Sequence, residues 1–325
     1  MRCFGRNLAA ALLLAAGWMA GAGAAAAASD YSGHTITLVC GHPAGSGADL
    51  IVRYLAEQLA KKVPVPVIVE NRPGASGNIA TEHVVRSRPD GHTILVHGPN
   101  TIATNLHSLK NPPFKAEDLQ IVSNVQSQAF MIAVAPNSAA KMLPELTALM
   151  KKKGSKATYG VSNSFAQIIG ELYRIRTGLS ASVVQYRTDS QFTNDLNSGS
   201  LDFAVVNPAF GMAQGREGRL RLLGISSSER MPTSPDVPTM LAGGVPNMDI
   251  RSWFATIVPA ATPRPVVDKL NAWFNEILAT EETRKFMAPL GGVPFIVSPD
   301  EGQAMYLKTY EDYRDYVKQA KIAEN

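Results

Sequence analysis

The stretch that decides the fold reads Ile36-Thr37-Leu38-Val39-Cys40, then Gly41-His42-Pro43-Ala44-Gly45-Ser46-Gly47-Ala48-Asp49. The first five residues make a buried strand. A turn rich in Gly and Pro follows. A helix is then predicted over 48–62, with Ile51, Leu55 and Leu59 on one face at i, i+4 and i+8. The next strand is predicted over 65–70, where Pro64 and Pro66 keep helix out. A helix at 78–86 and a strand at 93–97 complete the unit. Strands and helices alternating through short links point to βαβ units and a mostly parallel sheet.

The pattern restarts further on. Strands are predicted at 131–135, 157–160, 182–186, 202–206 and 220–226. Helices are predicted at 143–153, with Pro144 in the first turn, at 166–177, stopping before Gly178, and at 190–197. A second α/β module therefore occupies roughly 130–250. The tail adds a strand at 251–258 and helices at 265–278, 281–288 and 299–318. The last of these carries Met305, Tyr306, Tyr310, Tyr313 and Val317 and is expected to pack on the first module.

Composition fits this picture. The chain has 325 residues, 45% hydrophobic and 18% charged, which suits two compact domains and excludes a disordered chain. Against 27 acidic residues stand 31 Lys and Arg, a formal charge of +4. That small surplus has no basic stripe of the kind a nucleic-acid binder shows. Lys151-Lys152-Lys153 reads as a solvated helix C-terminus, where cations sit well against the dipole.

The first residues read as an address. Arg2 and Arg6 precede an apolar run, no acidic residue occurs before Asp30, and small residues at 24–28 suit signal peptidase. A membrane anchor is the alternative for so apolar a stretch, but its Ala/Gly-rich second half favours cleavage. Removing residues 1–28 halves the basic surplus. Of the two cysteines it leaves only Cys40, which ends an apolar strand, so no disulfide is expected.

Enzyme and cofactor motifs fail one by one. The turn at 41–49 can cradle an anion with backbone N–H groups. It lacks the Lys-Ser/Thr of a Walker loop, and Leu50 stands where a dinucleotide fingerprint needs Gly. Gly224-Ile225-Ser226-Ser227-Ser228 lacks the second Gly of a nucleophile elbow. Ser138-Ala139-Ala140-Lys141 reads as a turn or cap. His42 and His97 each end a predicted strand, the edge where open α/β sheets bind ligands. They are loop histidines, ligand contacts or metal ligands. No metal and no cofactor is expected.

The string Asn71-Arg72-Pro73-Gly74-Ala75-Ser76-Gly77-Asn78 is the most distinctive in the chain. With Pro43-x-Gly45-x-Gly47-x-Asp49 before it and Pro89-Asp90-Gly91-His92-Thr93 after it, it resembles the Bug-type (TctC) extracytoplasmic solute receptors of tripartite tricarboxylate transporters. The resemblance continues in order through Tyr186-Arg187, Pro235-Asp236-Val237-Pro238-Thr239, Ser252-Trp253-Phe254 and Pro259-Ala260-Ala261-Thr262-Pro263.

The resemblance implies a type II periplasmic-binding-protein fold, with two Rossmann-like lobes joined by two crossing strands and a ligand cleft between. Lobe 1 would take 29–128 plus 253–325 and lobe 2 would take 129–252. It implies a periplasmic, monomeric receptor that closes on a small carboxylate (an organic acid, aromatic acid or acidic amino acid). The receptor would hand that ligand to small and large membrane subunits. A sensing receptor, or a hydrolase or lyase using His42, Asp49 and His97, are the alternatives. The candidate ligand-binding residues are His42, Ser46, Gly47, Ala48, Asp49, Ser76, Gly77, His97 and Asn100 in lobe 1. In lobe 2 they are Ser162, Asn163, Ser164, Phe165, Thr188, Asp189 and Asn207.

This chain departs from the family in several of these places. The loop 160–167 is shorter, Tyr186-Arg187-Thr188-Asp189 replaces Tyr-Lys-Gly-Gly, and His42 and His97 replace an aromatic and a small residue. Asp189 is expected to repel a second carboxylate, to meet a cation, or to cap a helix with Ser190. If the two histidines meet a carboxylate as cations, affinity should weaken between pH 6 and 8.

Overall fold

The structure is a computed structural model that describes residues 33–319, with Asn100 described by its backbone alone. The export signal expected at 1–28 lies outside the described residues.

The opening stretch folds as its pattern dictates. β1 (Ile36–Cys40) lies between β2 (Val67–Asn71) and β3 (Thr93–His97), all parallel. They are linked through α1 (Gly47–Ala60) and α2 (Asn78–Val85). Ile51, Val52, Leu55 and Leu59 of α1 are buried in one core with Ile36, Leu38 and Cys40. β2 starts at Val67 rather than 65, because Pro66 has no N–H for the ladder. Its carbonyl still accepts the Ile36 N–H at 2.9 Å.

The same arrangement recurs in the second half. β6 (Thr158–Val161) is parallel to β7 (Ser182–Gln185) and β8 (Phe203–Val206). β5 (Met131–Val134) and β9 (Arg221–Ile225) complete the sheet in the order β7-β6-β8-β5-β9. Around it stand α4 (Leu143–Lys153), α5 (Ser164–Thr177), α6 (Phe192–Ser198) and α7 (Pro208–Arg216).

Two long strands connect the sheets. β4 (Leu119–Ala129) pairs antiparallel with β10 (Arg251–Pro259) from Leu119↔Pro259 to Ala129↔Arg251. Only Phe130 separates β4 from β5. With β11 (Val293–Pro294), the first sheet runs β11-β4-β10-β3-β1-β2. Each sheet is thus a parallel triplet extended by antiparallel strands, not the mostly parallel sheet expected. In each, the strand beside the triplet has just arrived from the other sheet: β10 in one, β5 in the other.

Four elements escaped the sequence reading: β4, the two-residue β11, α7, and α3 (Pro99–Ser108). Both helices carry Pro at the first turn, where its missing N–H costs nothing. Neither shows a clean apolar stripe. α3 buries Ile102 and Ala103 beside the polar Thr104 and Asn105, and α7 holds two glycines. β4 carries Ser, Asn and three Gln among its apolar residues, which blurs the alternation on which strand prediction rests.

The tail returns through α8 (Arg264–Leu278), α9 (Glu281–Met287) and α10 (Pro299–Gln319). α10 does more than pack on the first sheet. Tyr306 lies in the first sheet's core, but Tyr313 and Val317 are buried in the second sheet's. Tyr313 stacks on Phe165, with centroids 6.2 Å apart and planes 8° apart, and Phe165 meets Phe130 edge-on at 4.8 Å. The helix therefore straps the two halves together by apolar contact. Truncation of a buried aromatic typically costs ~3–5 kcal/mol. Tyr313→Ala is expected to lower unfolding free energy by about that much, read as a fall in the urea midpoint.

Candidate ligand-binding site

A cavity of about 740 Å³ opens between the two sheets. Its lining is built by helix starts. Ser46, Gly47 and Ala48 begin α1, Ser76 and Gly77 precede α2, and Gly98 and Thr101 begin α3. From the second half, Asn163, Ser164 and Phe165 begin α5, and Asn207, Ala209 and Phe210 begin α7. The first N–H groups of a helix have no intrahelical partner and carry its positive end. Five such ends face one space.

The turns are held rigidly. Ser46 caps α1 by accepting the Asp49 N–H at 3.2 Å. The Asp49 carboxylate lies beneath the turn rather than on the cavity wall. It accepts from the Gly45 N–H, Asn71 Nδ2 and Arg53 Nε, each at 2.8 Å. Burial would raise its pKa, but those donors together hold it below the usual carboxylate value. Asn71 also donates to the His42 carbonyl at 3.1 Å, which ties the distinctive 71–78 string to the first turn.

That string forms a strained bend. Gly74, Ala75, Ser76 and Gly77 all have positive φ (128°, 46°, 52° and 88°). For non-glycine residues this costs of order 1–3 kcal/mol each and persists only when surroundings enforce it. Asn105 of α3 supplies enforcement, donating to the Ser76 carbonyl at 3.0 Å and to Asn78 Oδ1 at 2.8 Å.

His42 lines the cavity, and His97 lies buried behind it, rings stacked at 4.9 Å and 17°. His97 Nδ1 accepts the Gly98 N–H at 2.8 Å, so the proton of the neutral ring sits on Nε2. Nε2 has no hydrogen-bond partner and is wedged against glycines. A Cβ at Gly77 would lie 2.1 Å from it, and one at Gly41 2.5 Å from Cδ2. Burial, reinforced by His42, pushes His97 down to about 3, and burial lowers His42 too. The rings are therefore neutral aromatic surface at pH 7, not the cations entertained from the sequence.

The floor comes from the crossing strands. Gln126, Gln128 and Phe130 of the first crossing face the cavity, and so do Ser252 and Phe254 of β10. Register places Gln128 beside Ser252 and Gln126 beside Phe254, with a bulge between Phe254 and Ala255. Bulges re-aim side chains next to sites. The sequence reading missed this floor, although the polar residues near an expected crossing at 125–130 were a usable signal.

In the second half, Ser162, Asn163, Ser164, Phe165 and Asn207 line the wall. Asp189 stands behind them, 7% exposed. It accepts hydrogen bonds from Ser162 Oγ and Asn207 Nδ2, and from the Asn207 N–H at 3.0 Å. Burial raises its pKa and these donors lower it, burial prevailing. Thr188 is exposed, bonded to Ser190 at 3.0 Å, and caps the turn. Of the candidate residues, then, Asp49, His97, Thr188 and Asp189 are off the cavity wall. The Asn100 side chain lies outside the described residues. Among the described residues lining the cavity there is no Lys, Arg, Asp or Glu. Phe130, Phe165, Phe210 and Phe254 supply apolar area.

The neutral histidines carry a pH signature. The unfolded chain protonates His97 near 6.5, and the folded chain only near 3. Unfolding therefore takes up a proton between those values, and stability falls as pH drops through that window, by on the order of 4 kcal/mol. Melting between pH 7 and 4 should show a steep loss in the wild type and a shallower one in His97→Gln. Ligand affinity between pH 6 and 8 should stay level, where a cationic pair would make it fall.

Comparison with known proteins gives this geometry its context. The family model "Tripartite tricarboxylate transporter family receptor" matches residues 51–315. Protein BugT of Bordetella pertussis is 30% identical over 286 residues, 87% of this chain and 88% of its own. A UPF0065 protein of Bordetella bronchiseptica is 32% identical over 325 residues, 99% of this chain and 96% of its own. The structure of R. palustris Rpa4515 with adipate superposes with a TM-score of 0.80 at 25% identity. It covers 90% of this chain and 99% of that one. A family match across most of the chain, on a two-sheet fold with its cavity between, makes this protein a member of the tripartite tricarboxylate transporter receptor family, the Bug-type solute-binding proteins.

Proposed function

We propose that this chain is a periplasmic receptor, not an enzyme, that captures a small carboxylate. It would deliver that ligand, as a monomer, to the small and large membrane subunits of a tripartite transporter. Lobe 1 (29–128 and 253–325) would close on lobe 2 (129–252) about β4 and β10, with residues 1–28 serving as the export signal. The observation that carries the reading is the convergence of five helix N-termini on a cavity with no Lys, Arg, Asp or Glu among its described lining residues. Each helix end contributes ~0.3–1 kcal/mol toward an anion, up to ~2 when partly buried. Several such ends acting together contribute toward the ~8 kcal/mol of micromolar binding without an Arg. A relative of the same fold holds adipate. A hydrolase would need Asp49 to orient an imidazole, whereas its oxygens serve Gly45, Asn71 and Arg53.

Calorimetry on a panel of aliphatic, aromatic and amino-substituted carboxylates tests this. One class should bind 1:1 and raise the melting temperature, since ligand at 100 Kd adds about 2.7 kcal/mol. The ligand should be recovered unchanged. No shift with any carboxylate would remove the reading, and turnover would replace it with catalysis.

A further inference from the structure

We propose that Asp189 is a built-in anion occupying the α7 end of the anion-binding wall of lobe 2. The ligand then carries one carboxylate and meets this lobe with a hydrogen-bond donor. The inference rests on the carboxylate-receptor reading and narrows it.

Three observations carry it. Asp189 Oδ2 accepts the backbone N–H of Asn207, the cap residue of α7, so that helix start already holds a carboxylate of the chain's own. The donors around Asp189 are all neutral, so its charge is not cancelled there. Asp49 in lobe 1, by contrast, is paired with Arg53 at 2.8 Å.

Two wall residues in front of Asp189, Ser162 and Asn207, commit donors to it rather than to the ligand. Ser162 gives its one hydroxyl hydrogen to Asp189 and accepts from Asn163 Nδ2 at 3.3 Å, so toward a ligand its oxygen can only accept, through its remaining lone pair. Asn207 donates to Asp189 through Nδ2, and its Oδ1 accepts the Phe210 N–H at 2.9 Å.

A second carboxylate would face Asp189 across one side chain, with no Lys or Arg among the described lining residues to offset it. An amide, hydroxyl or ammonium group would find Ser162 Oγ. The carboxylate of such a ligand belongs at the starts of α1, α2 and α3 in lobe 1. Asp189 thus acts as a specificity residue through its neighbours, without touching the ligand.

The test uses ligands of equal length that differ only at the far end. Succinate, succinamate and 4-aminobutyrate form one set; adipate, adipamate and 6-aminohexanoate form another. Calorimetry at pH 7 and fixed salt should give a half-amide or amino acid at least about tenfold tighter than its matched diacid. The amide and ammonium arms identify which donor is read. Asp189→Asn should bring the ratio within about threefold, chiefly by gaining diacid affinity. A simple loss of structure would instead weaken all three ligands alike. Tighter binding of the diacid by the wild type would overturn the inference and leave the receptor reading standing. So would an unchanged ratio in a folded Asp189→Asn. If Asp189→Asn does not fold, the wild-type ratio decides alone. Failure of every carboxylate to bind would remove both readings.

Discussion

The pairing of β4 with β10 is the constraint on which the rest depends. Nine residue pairs, from Leu119↔Pro259 to Ala129↔Arg251, join two strands that each leave one sheet for the other. Their backbone hydrogen bonds must be satisfied inside the molecule, so the strands stay together and fix where the sheets face each other. The same pairing sets Gln126 beside Phe254 and Gln128 beside Ser252, so the crossing is also the cavity floor. Burial is nearly complete along both strands.

From that floor the walls follow by topology. In a parallel β-α unit the chain enters each helix from the C-terminal edge of a strand. β1, β3, β6 and β8 therefore aim the starts of α1, α3, α5 and α7 at one space. Backbone dipoles replace side-chain charge in this design. A Lys or Arg would bind any anion, whereas N–H groups fixed by helix geometry demand a particular position. The rigidity comes from buried polar contacts: Asp49 beneath the first turn, Asn105 beneath the second, Asp189 beneath the two turns of lobe 2. Of the two carboxylates, only Asp49 has a cationic partner, so the two halves differ electrostatically though each sheet carries the same parallel triplet.

Much of this was legible in the sequence. The alternation beginning at Ile36 identified the parallel units, and the string at 71–78 carried the family. Eleven of the sixteen candidate residues resolve to neighbouring positions among the 26 residues around the cavity because they lie on turns after strands, and strand ends are readable from apolar runs. Elements lacking an apolar period were not legible. α3 and β4 present polar side chains toward a cleft rather than toward water, and no local pattern separates the two; α7 is short and interrupted by two glycines.

The sequence by itself determined the strand-turn-helix units, the family and the absence of a basic field. Only the tertiary structure decided the roles of the titratable groups. His42 and His97 stack in a buried, neutral pair, and Asp49 props a loop. Asp189 sits one hydrogen bond behind the wall. Protonation and hydrogen-bond direction depend on desolvation and on partners far apart in the chain, such as Asp189 and Ser162, and one-dimensional spacing carries neither.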